Sequence, residues 1–142
     1  MIVQILYFCR IGVEKMNPMP IGKIFQIYIS MFNHCGEFLL NFSDEKIGTY
    51  IFEEFDIEAT TFLHENTLDK LKSAEFIDEA EYNCSKNLRQ KFLKLQGTDL
   101  WNVESVKTTL EWREIMRLAD EIRTSINDKW SDDELKYLYK NE

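Results

Sequence analysis

The periodicity of this sequence points to a mainly α fold, a compact helical domain, on three grounds. Two long stretches in the C-terminal half repeat apolar residues every three or four positions, both carry helix-end signals, and Ile21 to Cys35 shows the same spacing. The alternative is α+β, with strands within residues 2–60 and helices in the C-terminal half, because the apolar runs before residue 60 are short.

The chain opens with Ile2 to Val13, rich in Ile, Val, Tyr and Phe, which favours a buried strand without excluding a helix. Asn17-Pro18 and Met19-Pro20 push the residues before each proline towards extended backbone and mark a break. Ile21, Ile24, Phe25, Tyr28, Met31, Phe32 and Cys35 then recur at helical spacing before Gly36, a candidate C-terminal cap, although KIFQIYISMF also fits a strand. Ser43 followed by Asp44 and Glu45 is a helix start: the hydroxyl can accept from a free amide, and the acids oppose the dipole's positive end. A hairpin pairing Phe38–Phe42 with Thr49–Phe55 across Ser43–Gly48 is the alternative.

From Glu75 to Gln96 the apolar series is Ile77, Ala80, Cys84, Leu88, Phe92 and Leu95, and Gly97 supplies the stop. Glu75, Asp78, Glu79 and Glu81 come first and Lys86, Arg89, Lys91 and Lys94 later, matching the macrodipole at both ends. The next helix is expected from Thr108, where Thr108-x-x-Glu111 has capping-box spacing, through Trp112, Ile115, Leu118, Ala119, Ile122 and Ile126. On its wet face Glu114 can pair with Arg117, Arg117 with Glu121, and Asp120 with Arg123. Ser131-x-x-Glu134 repeats the capping signature before Leu135, Leu138 and Tyr139, a short terminal helix docked by three apolar side chains.

Length and composition bound the rest. A chain of 142 residues, 44% hydrophobic and 13% aromatic, can bury one real core, and residues 1–142 carry no linker or repeat, so a single globular domain is expected. The net charge of −8 is uneven. Residues 43–81 hold twelve acids against three bases, and residues 82–97 hold four bases and no acid. Such a field repels nucleic-acid phosphates, so no direct DNA or RNA binding is expected; it attracts a basic protein and also serves solubility. Cys9, Cys35 and Cys84 are scattered and odd in number, which suggests reduced thiols. The start of the chain lacks the basic flank and cleavage site of a signal and is far too short to span a bilayer, so a cytoplasmic protein with no membrane partner is the expectation.

Little points to catalysis. Histidine is the commonest general acid or base near neutral pH, and only His34 and His64 are available. His34-Cys35 is adjacent in sequence, which is not the spatial pairing that thiol catalysis needs, and a partly buried pair near a helix end is the plainer reading. His64-Glu65 lacks a second histidine one turn on, and neither a tetrahedral metal set nor a glycine-rich phosphate loop can be assembled. No catalytic residue, metal site or cofactor is assigned. Adjacent acids such as Glu53-Glu54 and Asp132-Asp133 read as solvated surface.

Tyr50-Ile51-Phe52-Glu53-Glu54-Phe55-Asp56-Ile57-Glu58 stands out because bulky apolar and acidic residues interleave. An interface of this kind uses aromatics as desolvated anchors and acids to steer and pair with Arg or Lys. Its bland counterpart has Tyr50, Phe52 and Phe55 facing the core and the acids facing water. The expected partner-binding set is Tyr50, Glu53, Glu54, Phe55, Asp56 and Glu58. Trp101, Trp112 and Trp130 read as core or core-rim residues, and Met16, Met19, Met31 and Met116 as gap fillers.

Small size, acidity and this segment together give the chain a general character that resembles the stand-alone immunity proteins of bacterial contact-dependent inhibition and polymorphic-toxin systems. The resemblance implies a non-enzymatic inhibitor that binds a cognate basic toxin, often a nuclease, and masks its active site; it implies no particular fold. A phage-type inhibitor or regulatory adaptor binding a host protein would look the same. A small enzyme using carboxylates or His64 would require them in one deep pocket.

Overall fold

Residues 19–135 are described by a computed structural model, and no strand occurs among them. The expected strand over Ile2–Val13, Cys9 and Met16, and the docking residues Leu138 and Tyr139, lie outside the described residues. Helix α1 spans Ile21–Met31, followed by a 3-10 segment at Glu37–Asn41. Next come α2 (Asp44–Gly48), a π-helical segment (Thr49–Phe55) and α3 (Asp56–Phe62). Then follow α4 (Glu65–Ser73), α5 (Glu79–Leu95), α6 (Val103–Thr108) and α7 (Leu110–Lys129).

The structure departs from the sequence expectations at several element ends and in the region of the expected hairpin. Helix α1 stops at Met31, so Gly36 does not cap it. Gly36 begins the 3-10 segment in extended backbone, φ 166°, and is glycine for want of space: a Cβ there would lie 2.5 Å from Asp120 and 2.6 Å from Phe38. The hairpin is absent; its first arm is the 3-10 segment and its second is π-helical. The last long helix begins one residue later than expected, because Thr109 rather than Thr108 accepts from the Trp112 amide at 3.4 Å, while Thr108 closes α6.

Residues 44–62 form one helix whose middle has wider turns. Gly48, Phe55 and Asp56, at the joints, all keep right-handed helical backbone. Ser43 caps its start, accepting from the Lys46 amide at 3.2 Å. Sequence spacing accounts for the π stretch. Ile47, Ile51, Phe55 and Ala59, all buried, recur every four residues. At 3.6 residues per turn a step of four drifts about 40°, so three steps would carry Ala59 about 120° from Ile47. Loosening the turns keeps all four on the core face.

Helices α5 and α7 run antiparallel, since Glu81 meets Lys129, Cys84 meets Leu118 and Lys91 meets Glu114. Asp78 and Glu81 cap α5 reciprocally, at 2.7 and 2.9 Å. The helix therefore starts at Glu79, and Glu75, at φ 65°, belongs to the turn before it. Gly97, at φ 77°, takes the left-handed conformation that ends it. Lys129, in the last turn of α7, pairs with Asp78 and Glu81 at the start of α5, where each charge offsets the dipole of its own helix. The expected wet-face pairs on α7, Glu114–Arg117, Arg117–Glu121 and Asp120–Arg123, all form. Ser131 and Glu134 make the second capping box, at 3.0 and 3.1 Å.

The core joins both halves. Phe55, Phe92, Trp101 and Trp112 stack edge-on or tilted, with centroids 5.0 to 5.9 Å apart, and the buried Trp112 donates to the Leu100 carbonyl at 2.7 Å. Phe25, Phe76 and Trp130 form a second cluster, and buried Tyr28 bonds Ser85 at 2.8 Å. Leu88, Phe92, Ile115, Ala119 and Ile122 are buried as their spacing requires, whereas Ala80 is exposed and Cys84 half-buried. No described helix is long and apolar enough to cross a membrane.

Candidate functional site

The acidic-aromatic segment lies on the long helix of residues 44–62, and the helix sorts its residues by face. Phe55 and Glu58 are fully buried, which removes both from the expected partner-binding set. Phe55 packs on Phe92 at 5.0 Å, and Glu58 is turned inward by the same loosened turns that bring Ala59 to the core. Tyr50 and Phe52 are half-buried: Tyr50 meets Phe42 at 5.8 Å, and Phe52 meets Trp101 at 4.8 Å. Asp56 accepts from Gln96 at 2.7 Å, and burial holds its carboxyl above the usual range although that bond pulls the other way. Glu53 is exposed and, like Glu45 two turns earlier, has no ion-pair partner among the described residues.

Sequence reasoning missed what Glu54 and Glu58 hold. The ring of His34, in the loop after α1, lies between them: Nδ1 is 2.6 Å from Glu58 Oε1 and Nε2 is 3.1 Å from Glu54 Oε2. Ionised carboxylates only accept, so satisfying both requires a hydrogen on each ring nitrogen, which is the imidazolium. Burial disfavours that charge, but the bond and charge of Glu58, with the charge of Glu54, outweigh it, and His34 keeps its proton above the ordinary histidine range. The signal available was the four-residue spacing of Glu54 and Glu58; the partner, twenty residues or more upstream, carried none. Its neighbour Cys35 is fully buried, and burial pushes the thiol well above its ordinary pKa.

His64 has a structural task. Its Nδ1 accepts from the Asn66 amide at 3.1 Å and caps α4. No group of three or more His, Cys, Asp or Glu among the described residues is placed to hold a metal ion.

An open groove of about 470 Å³ runs between the 3-10 segment and α7, lined by Glu37, Arg117, Asp120, Glu121, Thr124, Ser125 and Asp128. Asp120 is committed, pairing with Arg123 and accepting from the Glu37 amide at 3.0 Å, and Glu121 pairs with Arg117. Beside the groove a row of rings runs from Phe38 to Phe42 to Tyr50 to His34, with centroids 5.3 to 5.9 Å apart. Arg123 covers Phe38, and Lys46 covers Phe42.

Compared with known proteins, the chain matches no family model, no curated protein and no solved structure.

Proposed function

We propose that this protein is a non-enzymatic binding protein that neutralises a basic protein partner, a toxin domain such as a nuclease, by covering its active site. The observation that carries the reading is the pairing of uncommitted acids with half-buried aromatics on one helix: Glu45 and Glu53 are exposed and have no ion-pair partner among the described residues, while Tyr50 and Phe52 sit at the edge of the core. Acids so placed steer a cationic partner and take its Arg or Lys, and the ring edges supply desolvated contact at the centre. Glu54 and Asp56 stand in the same stretch but are engaged with His34 and Gln96, so they contribute field more than new bonds. Carboxylates presented to a nuclease occupy the positions where it receives phosphate, which accounts for masking without chemistry.

The test is capture from the native organism with the wild-type chain and an E45K/E53K variant as parallel baits, followed by assay of the captured protein's activity. The expected result is a stoichiometric basic protein, held by the wild type at low salt, lost by the variant, and inhibited in the complex. A partner retained equally by both baits, or one whose activity is untouched, would sink the reading.

A further inference from the structure

The unusual feature of this molecule is a fully buried glutamate whose one hydrogen bond among the described residues is to a histidine. Glu58 is 0% exposed; Oε1 meets His34 at 2.6 Å, and Oε2 has no hydrogen-bond partner among the described residues. A buried carboxylate without compensation is strongly unfavourable, so the stability of this corner is tied to the charge on one ring. That ring belongs to another part of the chain. His34 lies in the loop between α1 and the 3-10 segment, whereas Glu54 and Glu58 lie on the π segment and α3.

We propose that His34 is a proton-operated latch: as an imidazolium it clamps the loop of residues 32–36 to Glu54 and Glu58, and loss of its proton loosens that loop and the aromatic row behind it. A neutral imidazole has one N–H for two carboxylates, so one of them faces a lone pair. If the orphan is Glu58, an unpaired charge is left inside the core; if it is Glu54, the bridge is halved. The groups facing the latch are few. From the long helix come Glu54, Glu58 and the Tyr50 ring, edge-on at 5.3 Å, with Lys46 5.5 Å from that ring. From α7, Arg123 donates to the Phe32 carbonyl at 3.0 Å, and Asp120 accepts from the Glu37 amide. Arg123 and Asp120 hold the far side of the loop through bonds that do not involve His34, so the side that answers to the proton on the ring is the one facing Glu54 and Glu58.

The direction follows from linkage. With its folded-state pKa raised, His34 stabilises the closed loop fully below about pH 6.5, its value when free, and the contribution is lost as pH rises through the folded value. The open population of residues 33–42 is therefore flat below about pH 6.5, grows by up to about tenfold per unit above it, and levels off past the folded value. Alkalinity opens the latch and acidity closes it.

The experiment is a pH titration of the full chain by side-chain nitrogen NMR, with H64Q to assign the two histidines, alongside hydrogen exchange corrected for intrinsic base catalysis. The expected result is a His34 signal protonated at both nitrogens, titrating above the same residue in urea, with loop opening following the same curve. E54Q keeps the Glu58 clamp and should move both curves to lower pH together. H34Q should abolish the pH-linked opening. Titration at or below the urea value, opening that ignores the His34 curve, or opening in E54Q at the wild-type pH would each overturn the latch. Should H34Q fail to fold, the E54Q comparison decides.

Discussion

In α5 and α7 the buried stripes, such as Leu88, Phe92 and Leu95 or Ile115, Ala119 and Ile122, mix steps of three and four, whereas between Ile47 and Ala59 the buried apolar residues step by four alone. The first pattern suits an ordinary α-helix; the second forces wider turns. The polar groups divide in the same way. At the α5–α7 contact Glu81 is nearly buried but is met by Lys129, Ser125 and the Asp78 amide, so its oxygens are satisfied. On the long helix Glu58 is more deeply buried, and one oxygen has no hydrogen-bond partner among the described residues. The two regions separate a built foundation from a region held under electrostatic tension, and π-helical turns are known to concentrate at functional positions.

The comparison breaks most severely if the foundation is hollowed out. Trp112→Ala removes the ring at the centre of the aromatic cluster and its bond to Leu100, and should cost about 3–5 kcal/mol by denaturant unfolding. Leu88→Ala, a buried residue on the facing helix, should cost about 2–5 kcal/mol. Losses within about 0.5 kcal/mol for either would mean that α5 and α7 do not carry the core. Asp78→Ala tests the junction of the same pair: it deletes the α5 cap and one partner of Lys129, and should cost about 0.5–2 kcal/mol. A destabilisation as large as that of Leu88→Ala would show that the cap region, not the apolar stripe, sets stability.

The foundation was legible in sequence because apolar period, caps and dipole charges all agreed there, down to the three ion pairs on α7. Its errors were of one or a few residues, where two threonines stood side by side at 108 and 109 or where Asp78 outcompeted Glu75 as a start. The segment from 34 to 58 was less legible for physical reasons. Residues Phe38–Phe42 and Thr49–Phe55 have β-favouring composition, and only packing decides that they coil. The burial of Glu58 depends on a π segment, whose four-residue spacing can be picked out only once Ile47, Ile51, Phe55 and Ala59 are known to be the buried set, and on His34, which only the tertiary fold delivers. An acidic-aromatic alternation was visible, but which acids were free and which were spoken for was not.

That distinction gives the smallest and sharpest effect. Glu53 and Glu54 are neighbours in sequence and equal in charge, yet Glu53 is solvated and Glu54 holds His34 at 3.1 Å. Glu53→Lys should leave stability within about 0.5 kcal/mol, since an exposed unpaired acid contributes little. Glu54→Lys sets a cation against the imidazolium; for a pair only partly exposed its added cost should reach about 1 kcal/mol. The sign with pH is fixed by His34. The gap between the two variants should be widest at pH 6 and below, where the ring is charged, and should narrow as pH rises through the folded-state titration of His34. Unfolding curves of both variants at pH 6 and pH 9 measure it. A gap that is the same at both pH values, or that widens towards alkalinity, would mean that Glu54 acts through packing alone, and the whole stretch of residues 44–58 would then revert to one undifferentiated acidic surface.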